Sequence, residues 1–264
     1  TSDYVGDESL LISKELNNID KDEKFDIKPK RLETPVIICA KRKSALDYLE
    51  DKFSNKIDIV LSDDGLQHYA LSRDLEIVVV DGSVGFGNNW VMPAGPLREP
   101  LSRLEEVDFV LVNSNKNHLN NKLKNDLADI KTFNMQIISS DIYPINSDKN
   151  NTQNKNIEKL ANNFKDKKIC ALCAIGNPER FFKTLSSMGF KDFVKIALPD
   201  HKALSEPELL KISADFDYVF MTQKDAIKYQ DMTGVLESGK FWVVGVDAVC
   251  EDGFFEKLYS KLFV

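Results

Sequence analysis

Short apolar runs rich in β-branched residues alternate with helical patterns along most of this chain. The helical patterns include residues 8–17 and 43–53. The predicted strands are residues 35–40, 57–61, 75–80, 107–112, 168–175, 193–198, 218–221 and 241–246. Continuous apolar strands separated by helices are typical of parallel sheets with helices on both faces. The alternation therefore predicts an α/β protein.

A polar stretch rich in Asn and Lys, residues 113–163, interrupts this alternation. It contains one strand-like run, residues 135–142, and no long apolar helix face, as is typical of a linker. We place the domain boundary here, so that residues 1–134 form an N-terminal lobe and residues 135–264 form a C-terminal lobe with the linker strand. The sequence thus predicts two α/β/α lobes with mostly parallel sheets.

Composition excludes several classes of protein. The chain has 264 residues, of which 42% are hydrophobic and 29% charged, as in ordinary globular proteins. Its net charge of −7 shows no basic footprint, so we expect no nucleic-acid partner. No apolar run approaches the length of a membrane span, and no signal peptide opens the sequence. A first residue of Thr1 leaves open a native start upstream.

Cys170 and Cys173 form a C-x-x-C pair, a spacing found in redox and zinc sites. The pair lies inside the apolar run 168–175, which has the pattern of a buried strand. A redox pair would open a helix, and a zinc site would need a second pair of ligands. We therefore interpret both thiols as small core side chains.

An acidic turn, residues 62–69, follows the predicted strand 57–61. It contains Asp63, Asp64, Gln67 and His68. Acids at the carboxyl end of a strand can hold Mg²⁺ beside a phosphate, because Mg²⁺ needs only one or two protein carboxylates. His68 would contact Asp64 if the turn were helical. Taken alone, such residues are more often turn formers or helix caps.

Other strand ends carry polar residues too: Asp81-Gly82, Pro199-Asp200-His201 and Thr222-Gln223-Lys224-Asp225. A long loop, residues 85–100, combines Gly and Pro with Trp90, Met92 and Arg98. Trp90 to Met92 could cover the core or meet an acyl chain or a substrate ring, and Arg98 or Arg103 could bind phosphate.

The phosphate-binding loop that should accompany metal-side acids is not evident. The match to Gly-x-x-x-x-Gly-Lys is Gly234 to Lys240, and Phe241 follows where Ser or Thr is needed. A predicted strand also follows this segment, whereas a phosphate loop leads into a helix. The glycines of residues 82–87 have the wrong spacing for a dinucleotide fingerprint. We predict that neither segment binds phosphate.

Several motifs together resemble the tetraacyldisaccharide 4'-kinases, the lipid A kinases of Gram-negative bacteria. These motifs are Val5-Gly6-Asp7-Glu8, Ser62 to Tyr69, Arg73 to Gly82, Pro93 to Arg103, Ala174 to Phe182, Asp200-His201 and Met221 to Ala226. They occur in order over nearly the whole chain.

The resemblance implies a P-loop NTPase-like N-terminal lobe, here incomplete, joined to the second lobe by a short β linker. It implies ATP and Mg²⁺, with transfer of the γ-phosphoryl group to the 4'-hydroxyl of tetraacyldisaccharide 1-phosphate. The implied partners are this acylated disaccharide and the membrane surface, reached through an N-terminal segment. The implied location is the cytoplasmic face of the bacterial inner membrane, as a peripheral monomer.

The resemblance also implies roles for particular residues. Asp7 matches the family's catalytic base, and His201 matches the histidine that supports this base from the other lobe. Asp63 and Asp64 match the acids on the metal side. The matching residues on the nucleotide side are Asp63, Asp64, Gln67, His68, Lys224 and Asp225.

One departure from the family affects the expected activity. The family's phosphate loop lies upstream of the Gly-Asp-Glu motif, and this chain begins three residues before Tyr4-Val5-Gly6-Asp7. We therefore expect the chain as given not to be a competent kinase, because its phosphate-cradling donors are absent. A non-catalytic homologue that binds nucleotide or acyl-sugar is an alternative. A metal-dependent hydrolase using Asp63, Asp64, His68 and His201 is another.

Overall fold

The computed structural model describes residues 6–18, 34–54, 56–114, 119–147 and 163–263. Val5 of the Gly-Asp-Glu motif and parts of the predicted linker stretch, 113–163, lie outside these residues.

The described residues form an α/β fold. Its helices are α1 (Asp7–Asn18), α2 (Arg42–Phe53), α3 (Asn121–Asp126), α4 (Pro178–Ser187), α5 (Glu206–Ser213), α6 (Gln223–Ala226), α7 (Thr233–Glu237) and α8 (Phe254–Leu262), with a short 3₁₀ helix at Leu101–Glu105. Its strands are β1 (Ile77–Asp81), β2 (Phe109–Asn113), β3 (Thr132–Pro144), β4 (Ile169–Cys173), β5 (Phe193–Ala197), β6 (Tyr218–Thr222) and β7 (Phe241–Cys250). The mixed, mostly parallel α/β class that the sequence predicts is confirmed.

The chain divides into two compact units, and each unit draws on both halves of the sequence. Unit 1 contains Thr1–Ile38 and Ser139–Asp247, and unit 2 contains Cys39–Ile138 and Ala248–Val264. Strands β3 and β7 each begin in one unit and end in the other. They are the long strands of the fold, of 13 and 10 residues.

Unit 1 contains the strand order β3-β7-β6-β4-β5. The pairs β4–β5, β4–β6 and β6–β7 are parallel. All five residues of β4 are buried, as expected for a central parallel strand covered on both faces. The side chains of β4 alternate between two apolar clusters, with Ala171 and Phe181 in one and Leu172 and Leu209 in the other.

Unit 2 contains β1, β2 and the first half of β3 in that order, with parallel pairing. Strand β2 is its buried centre, because four of its five residues are buried. On one face Phe254 of α8 packs edge-on against Phe109 and Phe133, with ring centroids 5.5 and 5.4 Å apart. Aromatic edge-to-face packing of this kind stabilises a small core beyond its buried area.

The helix-start signals of the second half of the chain are confirmed. The Asn177 side chain accepts a hydrogen bond from the Arg180 backbone N–H, so it caps α4. The Glu208 carboxylate accepts from the Ser205 N–H at 2.8 Å and completes the capping box of α5. Gly189 follows α4 with φ +98°, a conformation that glycine adopts without strain.

Two predicted strands are wrong. Residues 35–40 and 57–61 have no regular secondary structure in the described part of the chain. Apolar side chains of the second run are exposed, with Leu61 84% exposed. A strand requires a hydrogen-bonded neighbour, and among the described residues neither run has one. The acidic turn therefore follows an extended segment rather than a sheet strand.

Candidate functional site

The candidate site of unit 1 lies at the carboxyl ends of β4 and β6. The chain goes from β4 to β5 on one side and then crosses to β6 on the other, so β4 and β6 flank a topological switch point. Both carboxylate oxygens of Asp225 accept from the Ala174 backbone N–H at 3.2 Å. The Thr222 hydroxyl donates to the same carboxylate at 2.7 Å. Asp225 thus links the carboxyl end of β6 to the carboxyl end of β4 through hydrogen bonds.

Lys228 connects Asp225 to Asp7. Its Nζ lies 3.1 Å from Asp225 Oδ1 and 3.5 Å from Asp7 Oδ2. The side chains of Lys228 and Asp225 are each 2% exposed, and that of Asp7 is 12% exposed. A buried ammonium is costly unless it is paired, and here two carboxylates pair with it.

His201 lies on the other side of Asp7. The residue has φ +61°, which is uncommon for a residue with a side chain. Its backbone N–H donates to the Ala174 carbonyl and to Asp200 Oδ1, both at 3.1 Å, which holds this conformation. The turn brings His201 Nδ1 to 3.6 Å from Asp7 Oδ2, while the side chain stays 60% exposed. The imidazole is therefore both held near Asp7 and open to a ligand.

Asp7 is the first residue of α1, at the positive end of the helix. Two side-chain contacts connect α1 to α6 below it. Lys224 Nζ lies 2.9 Å from Glu8 Oε1, and Gln223 Nε2 donates to Glu15 Oε1 at 3.1 Å. These contacts fix the start of α1 over the switch point. The predicted nucleotide ligand Lys224 is thus engaged with Glu8.

One oxygen of Asp7 faces both a buried ammonium and an exposed imidazole. A carboxylate held this way can accept a proton from a hydroxyl that approaches from the side of His201. Asp7 and His201 lie in different predicted lobes, residues 1–134 and 135–264. In the structure both residues belong to unit 1.

In unit 2 the acidic turn is shaped by arginines that bind its backbone. Arg73 Nη1 donates to the carbonyls of Gly65 at 2.8 Å and Leu66 at 3.0 Å. Arg42 Nη2 donates to the carbonyl of Asp63 at 3.2 Å. Among the described residues the exposed carboxylate of Asp63 has no hydrogen-bond or ion-pair partner.

The other polar side chains of the turn form a network with the loop that follows β1. Arg98 Nη1 lies 2.8 Å from both oxygens of Asp64 and also donates to Gln67 Oε1 at 3.3 Å. The hydrogen bond to Asp64 and the charge of its carboxylate raise the pKa of Arg98. Gln67 Nε2 and the Tyr69 hydroxyl both donate to Glu99, at 2.6 and 2.5 Å. Asp64 thus pairs with Arg98 rather than with His68.

Glu99 is the centre of this network. Burial raises the pKa of Glu99. The hydrogen bonds from Tyr69 and Gln67 and the charges of Arg103 and Arg73 lower it by more than burial raises it, so the pKa lies below its ordinary value. The bond to Glu99 in turn raises the pKa of Tyr69. Glu99 therefore stays ionised at neutral pH.

An open cleft of about 480 Å³ lies beside this network. Arg73 and Arg103 line it, but both contact Glu76: Arg73 Nε at 2.8 Å and Arg103 Nη2 at 2.6 Å. Arg103 also lies 3.4 Å from Glu99 Oε2 and 3.3 Å from Glu106 Oε2, so carboxylates already pair with both guanidinium groups. The charged residues that line the cleft therefore form a structural ion network rather than a binding site for an anion.

The acidic turn has the oxygen donors that Mg²⁺ takes in proteins. Asp63 offers an unshared carboxylate, and Asp64 lies next to it but shares its oxygens with Arg98. Within the described ranges no cluster of three or more His, Cys, Asp or Glu side chains could enclose a metal ion. The turn therefore fits a Mg²⁺ held by one or two carboxylates rather than a fully enclosed metal centre.

The segment Gly234 to Lys240 has a structural role. Its first half lies in α7 (Thr233–Glu237), and Lys240 Nζ donates to the carbonyls of Ser213 at 2.8 Å and Phe216 at 2.9 Å. The ammonium that would meet a phosphate is thus bound to backbone. This arrangement agrees with the prediction that the segment is not a phosphate loop.

The C-x-x-C pair also has the predicted structural role. Cys170 and Cys173 are fully buried in β4. Burial raises the pKa of each thiol to about 12, with smaller contributions from nearby charges. Both side chains therefore stay protonated and pack as core residues.

In the loop between β1 and the 3₁₀ helix, the side chains of Trp90 and Met92 do not cover the core. Trp90 and Met92 are both largely exposed, and the Met92-Pro93 peptide bond is cis. Asn88 Nδ2 donates to the Ala94 carbonyl at 2.9 Å and closes the loop on itself. Two large apolar side chains of unit 2 are thus exposed to solvent.

Sequence reasoning missed two residues of these sites, Lys228 and Glu99. The i, i+3 spacing of Asp225 and Lys228 after a strand was available as a signal of an ion pair. Lys228 was overlooked because charged residues at helix ends are usually exposed. Only the fold shows that this one is buried.

The chain is similar to proteins of known family. A family model described as tetraacyldisaccharide-1-P 4'-kinase matches residues 1–263. The tetraacyldisaccharide 4'-kinase of Legionella pneumophila (strain Corby) is 35% identical over 260 residues, 98% of this chain and 66% of that protein. The one from Psychromonas ingrahamii is 36% identical over 233 residues, 88% of this chain and 63% of that protein. The chain thus spans about two thirds of the length of these relatives.

A solved structure resembles the fold. LpxK from Aquifex aeolicus, crystallised in complex with ATP, matches with a TM-score of 0.59 at 20% identity, covering 85% of this chain and 63% of that one. None of the helices in the described ranges combines the length and apolar character that crossing a membrane requires. The family model covers almost every residue of the sequence. The chain therefore belongs to the tetraacyldisaccharide-1-P 4'-kinase family.

Proposed function

We propose that this chain carries the acceptor-side catalytic groups of an ATP-dependent kinase that phosphorylates the 4'-hydroxyl of tetraacyldisaccharide 1-phosphate in lipid A biosynthesis. The family membership supports the reaction class. The observation that carries the proposal is the placement of Asp7 Oδ2 at 3.6 Å from His201 Nδ1, at the carboxyl ends of β4 and β6. Ligands of α/β sheets bind at such strand ends.

In the proposed reaction Asp7 accepts the proton of the 4'-hydroxyl as the hydroxyl oxygen attacks the γ-phosphorus of ATP. The bond from the γ-phosphorus to the bridging oxygen breaks, and ADP leaves. His201, near the same carboxylate oxygen, orients Asp7 and can share the proton. Positioning and electrostatic stabilisation supply most of the rate in phosphoryl transfer.

The acidic turn of unit 2 is proposed as the metal-side element. Asp63, with its unshared carboxylate, and Asp64 would hold Mg²⁺, which when bound neutralises phosphate charge. Gln67 and His68 are proposed as nucleotide contacts from the same turn, and Lys224 as one from unit 1. The burial of Asp225 and its bonds to Ala174 and Thr222 support a role in holding the ends of β4 and β6 rather than in touching the nucleotide.

The proposed lipid substrate implies that the reaction takes place at a membrane surface. We propose a peripheral monomer at the cytoplasmic face of the bacterial inner membrane, reached through an N-terminal segment as the family resemblance implies.

We propose that these 264 residues by themselves do not catalyse the phosphoryl transfer. The Gly-Lys segment that matches a phosphate loop is engaged in α7 and with backbone carbonyls, and the arginines beside the cleft of unit 2 are paired with Glu76. Backbone donors and a lysine around the phosphates contribute orders of magnitude to such reactions. The alternative of a non-catalytic nucleotide- or acyl-sugar-binding homologue is therefore retained.

One experiment separates these possibilities. Transfer of labelled γ-phosphate from ATP to tetraacyldisaccharide 1-phosphate is measured for the 264-residue chain and for the chain extended by its upstream coding sequence. We expect transfer by the extended chain only, and its loss in an Asp7→Asn variant. If an extended chain binds ATP but never transfers phosphate, the non-catalytic alternative is correct. Family-like turnover by the 264 residues alone would contradict the proposed inactivity.

A further inference from the structure

Lys228 is the buried cation of the unit 1 site, and no role is yet assigned to it. Its side chain is 2% exposed, and its Nζ contacts Asp225 and Asp7. Asp225 is itself immobilised by the Ala174 N–H and the Thr222 hydroxyl. An unbroken set of polar contacts therefore runs from the ends of β4 and β6 through Lys228 to Asp7.

The geometry gives Lys228 a second effect besides pairing with Asp225. Asp7 is the first residue of α1, and its carboxylate contacts His201 as well as Lys228. The ammonium contacts Oδ2 of Asp7, which is also the oxygen closest to His201. A cation fixed at 3.5 Å keeps this oxygen aimed between Lys228 and the imidazole.

We propose that Lys228 is a positioning residue for Asp7: it holds the carboxylate oriented toward His201 without touching the substrate. The inference rests on the proposed function for its catalytic consequence, but its structural content can be tested separately. Removing the ammonium should let the carboxylate interact more strongly with His201, because Lys228 and His201 contact the same oxygen of Asp7.

The other charged and titratable groups around this pair are known. Asp200 Oδ2 lies 3.9 Å from His201 Nε2, and Glu8 is paired with Lys224. Tyr229, whose pKa is raised by burial and also by the charges of Asp225 and Asp7, carries no charge near neutral pH. Lys228 is therefore the cation that a single substitution can remove from Asp7 while leaving these groups in place.

The test uses NMR titration of the histidines of the whole chain. The sequence contains three histidines, and a His201→Gln variant assigns the signal of His201. In Lys228→Met we expect the midpoint of the His201 titration to rise by about 0.5 to 1 pH unit. When Asp7→Asn is also present, the same substitution should move the midpoint by less than about half as much, because the effect passes through the Asp7 carboxylate.

Two further variants keep the test interpretable. If Lys228→Met does not fold, the double variant Lys228→Met/Asp225→Asn removes both buried charges and is titrated with and without Asp7→Asn, against Asp225→Asn alone. Lys195→Met removes an exposed lysine of unit 1 that pairs with Glu179 and is the matched control, with no expected shift. An absent shift, or a shift of the same size whether Asp7 is intact or replaced, overturns the inference.

An activity measurement distinguishes failure of the inference from failure of the proposed function. In the extended chain we expect the folded Lys228 variant to lose about 10- to 100-fold in kcat with KM for the lipid changed less than about threefold. If the extended parent chain shows no transfer, the proposed function fails and the titration result stands. If transfer occurs and kcat of the variant is unchanged, Lys228 does not position the base, and the inference fails alone.

Discussion

The two polar clusters of this protein both pair cations with carboxylates, but the pairs compared here differ in burial. In unit 1, the side chains of Lys228 and Asp225 are almost completely buried, and the Ala174 backbone N–H and the Thr222 hydroxyl hold Asp225. In unit 2, Arg98 and Asp64 form an ion pair with shorter contacts, 2.8 Å, but both side chains are more than half exposed. Short distance alone therefore does not indicate which pair stabilises the fold.

Burial changes the consequence of removing one partner. In an exposed pair water replaces the lost partner, so the energetic effect is small. In a buried pair the remaining charge has no solvent, and the full desolvation penalty appears. We therefore expect the unit 1 cluster to act in stability and site geometry, and the exposed pair of unit 2 to act in ligand binding.

The largest effect is expected from Lys228→Met, which should lower the free energy of unfolding by about 3 to 5 kcal/mol, because Asp225 loses its cation in a buried setting. Urea denaturation of the variant against the Lys195→Met control measures it. Recovery of most of the loss in Lys228→Met/Asp225→Asn would locate the cause in the unpaired charge. A loss below about 1 kcal/mol would contradict the expectation that removing one partner destabilises a buried pair more than an exposed pair.

An intermediate effect is expected for Arg103→Met in unit 2, at about 1 to 3 kcal/mol of unfolding free energy. The side chains of Arg103 and Glu76 are largely buried, but Arg73 remains beside Glu76 to share its charge. The same denaturation experiment applies. A loss as large as that of Lys228→Met would mean that Arg73 does not compensate.

A smaller effect is expected from pH. The pKa of Glu99 is below its ordinary value of 4.5 in the folded protein, so the folded state favours the ionised form. Its stabilising contribution is present above that ordinary value and is lost as pH falls toward the folded pKa. Denaturation midpoints from about pH 6 to about pH 3 should fall more steeply for the parent than for Glu99→Gln. Equal slopes would show that Glu99 is not a source of acid sensitivity. Asp108 and Glu208, whose pKa values are also lowered, remain in both proteins and contribute to their shared slope.

The smallest effect is expected for Arg98→Met. This exposed pair should be removable without a detectable change in the denaturation midpoint, because water takes the place of each partner. Asp64→Asn is the matched variant from the other side of the pair. A shift comparable to that of Arg103→Met in either variant would show that exposure does not separate the two clusters.

Much of the fold could be predicted from the sequence, because a parallel strand is a local pattern. Runs such as those of β4 and β6 are apolar throughout, and the caps at Asn177 and Ser205 lie within four residues of the helices they start. The run 57–61 is also largely apolar, with Asp58 as its polar residue, but it forms no strand among the described residues. A strand also needs a neighbour, and an apolar pattern does not state whether one is present.

The candidate site could be predicted only in its parts. Asp7, Asp63 and His201 were identified by motif, and the phosphate-loop match at Gly234 was rejected by its context. The contact of Asp7 with His201 joins residues almost two hundred positions apart, and Lys228 was not predicted at all. Pair contacts at this separation depend on the crossover from β5 to β6, which local patterns do not encode.

The sequence by itself determined the α/β class, the core role of the C-x-x-C pair and the kinase family, since all three depend on residue types in order along the chain. Only the tertiary structure decided which of many similar ion pairs is buried. Lys228 and Lys195 are both lysines beside an acid, yet one is enclosed and the other is in solvent. The physical reason is that burial of a charge is set by every element packed around it, including elements distant in sequence, and burial determines what that charge contributes.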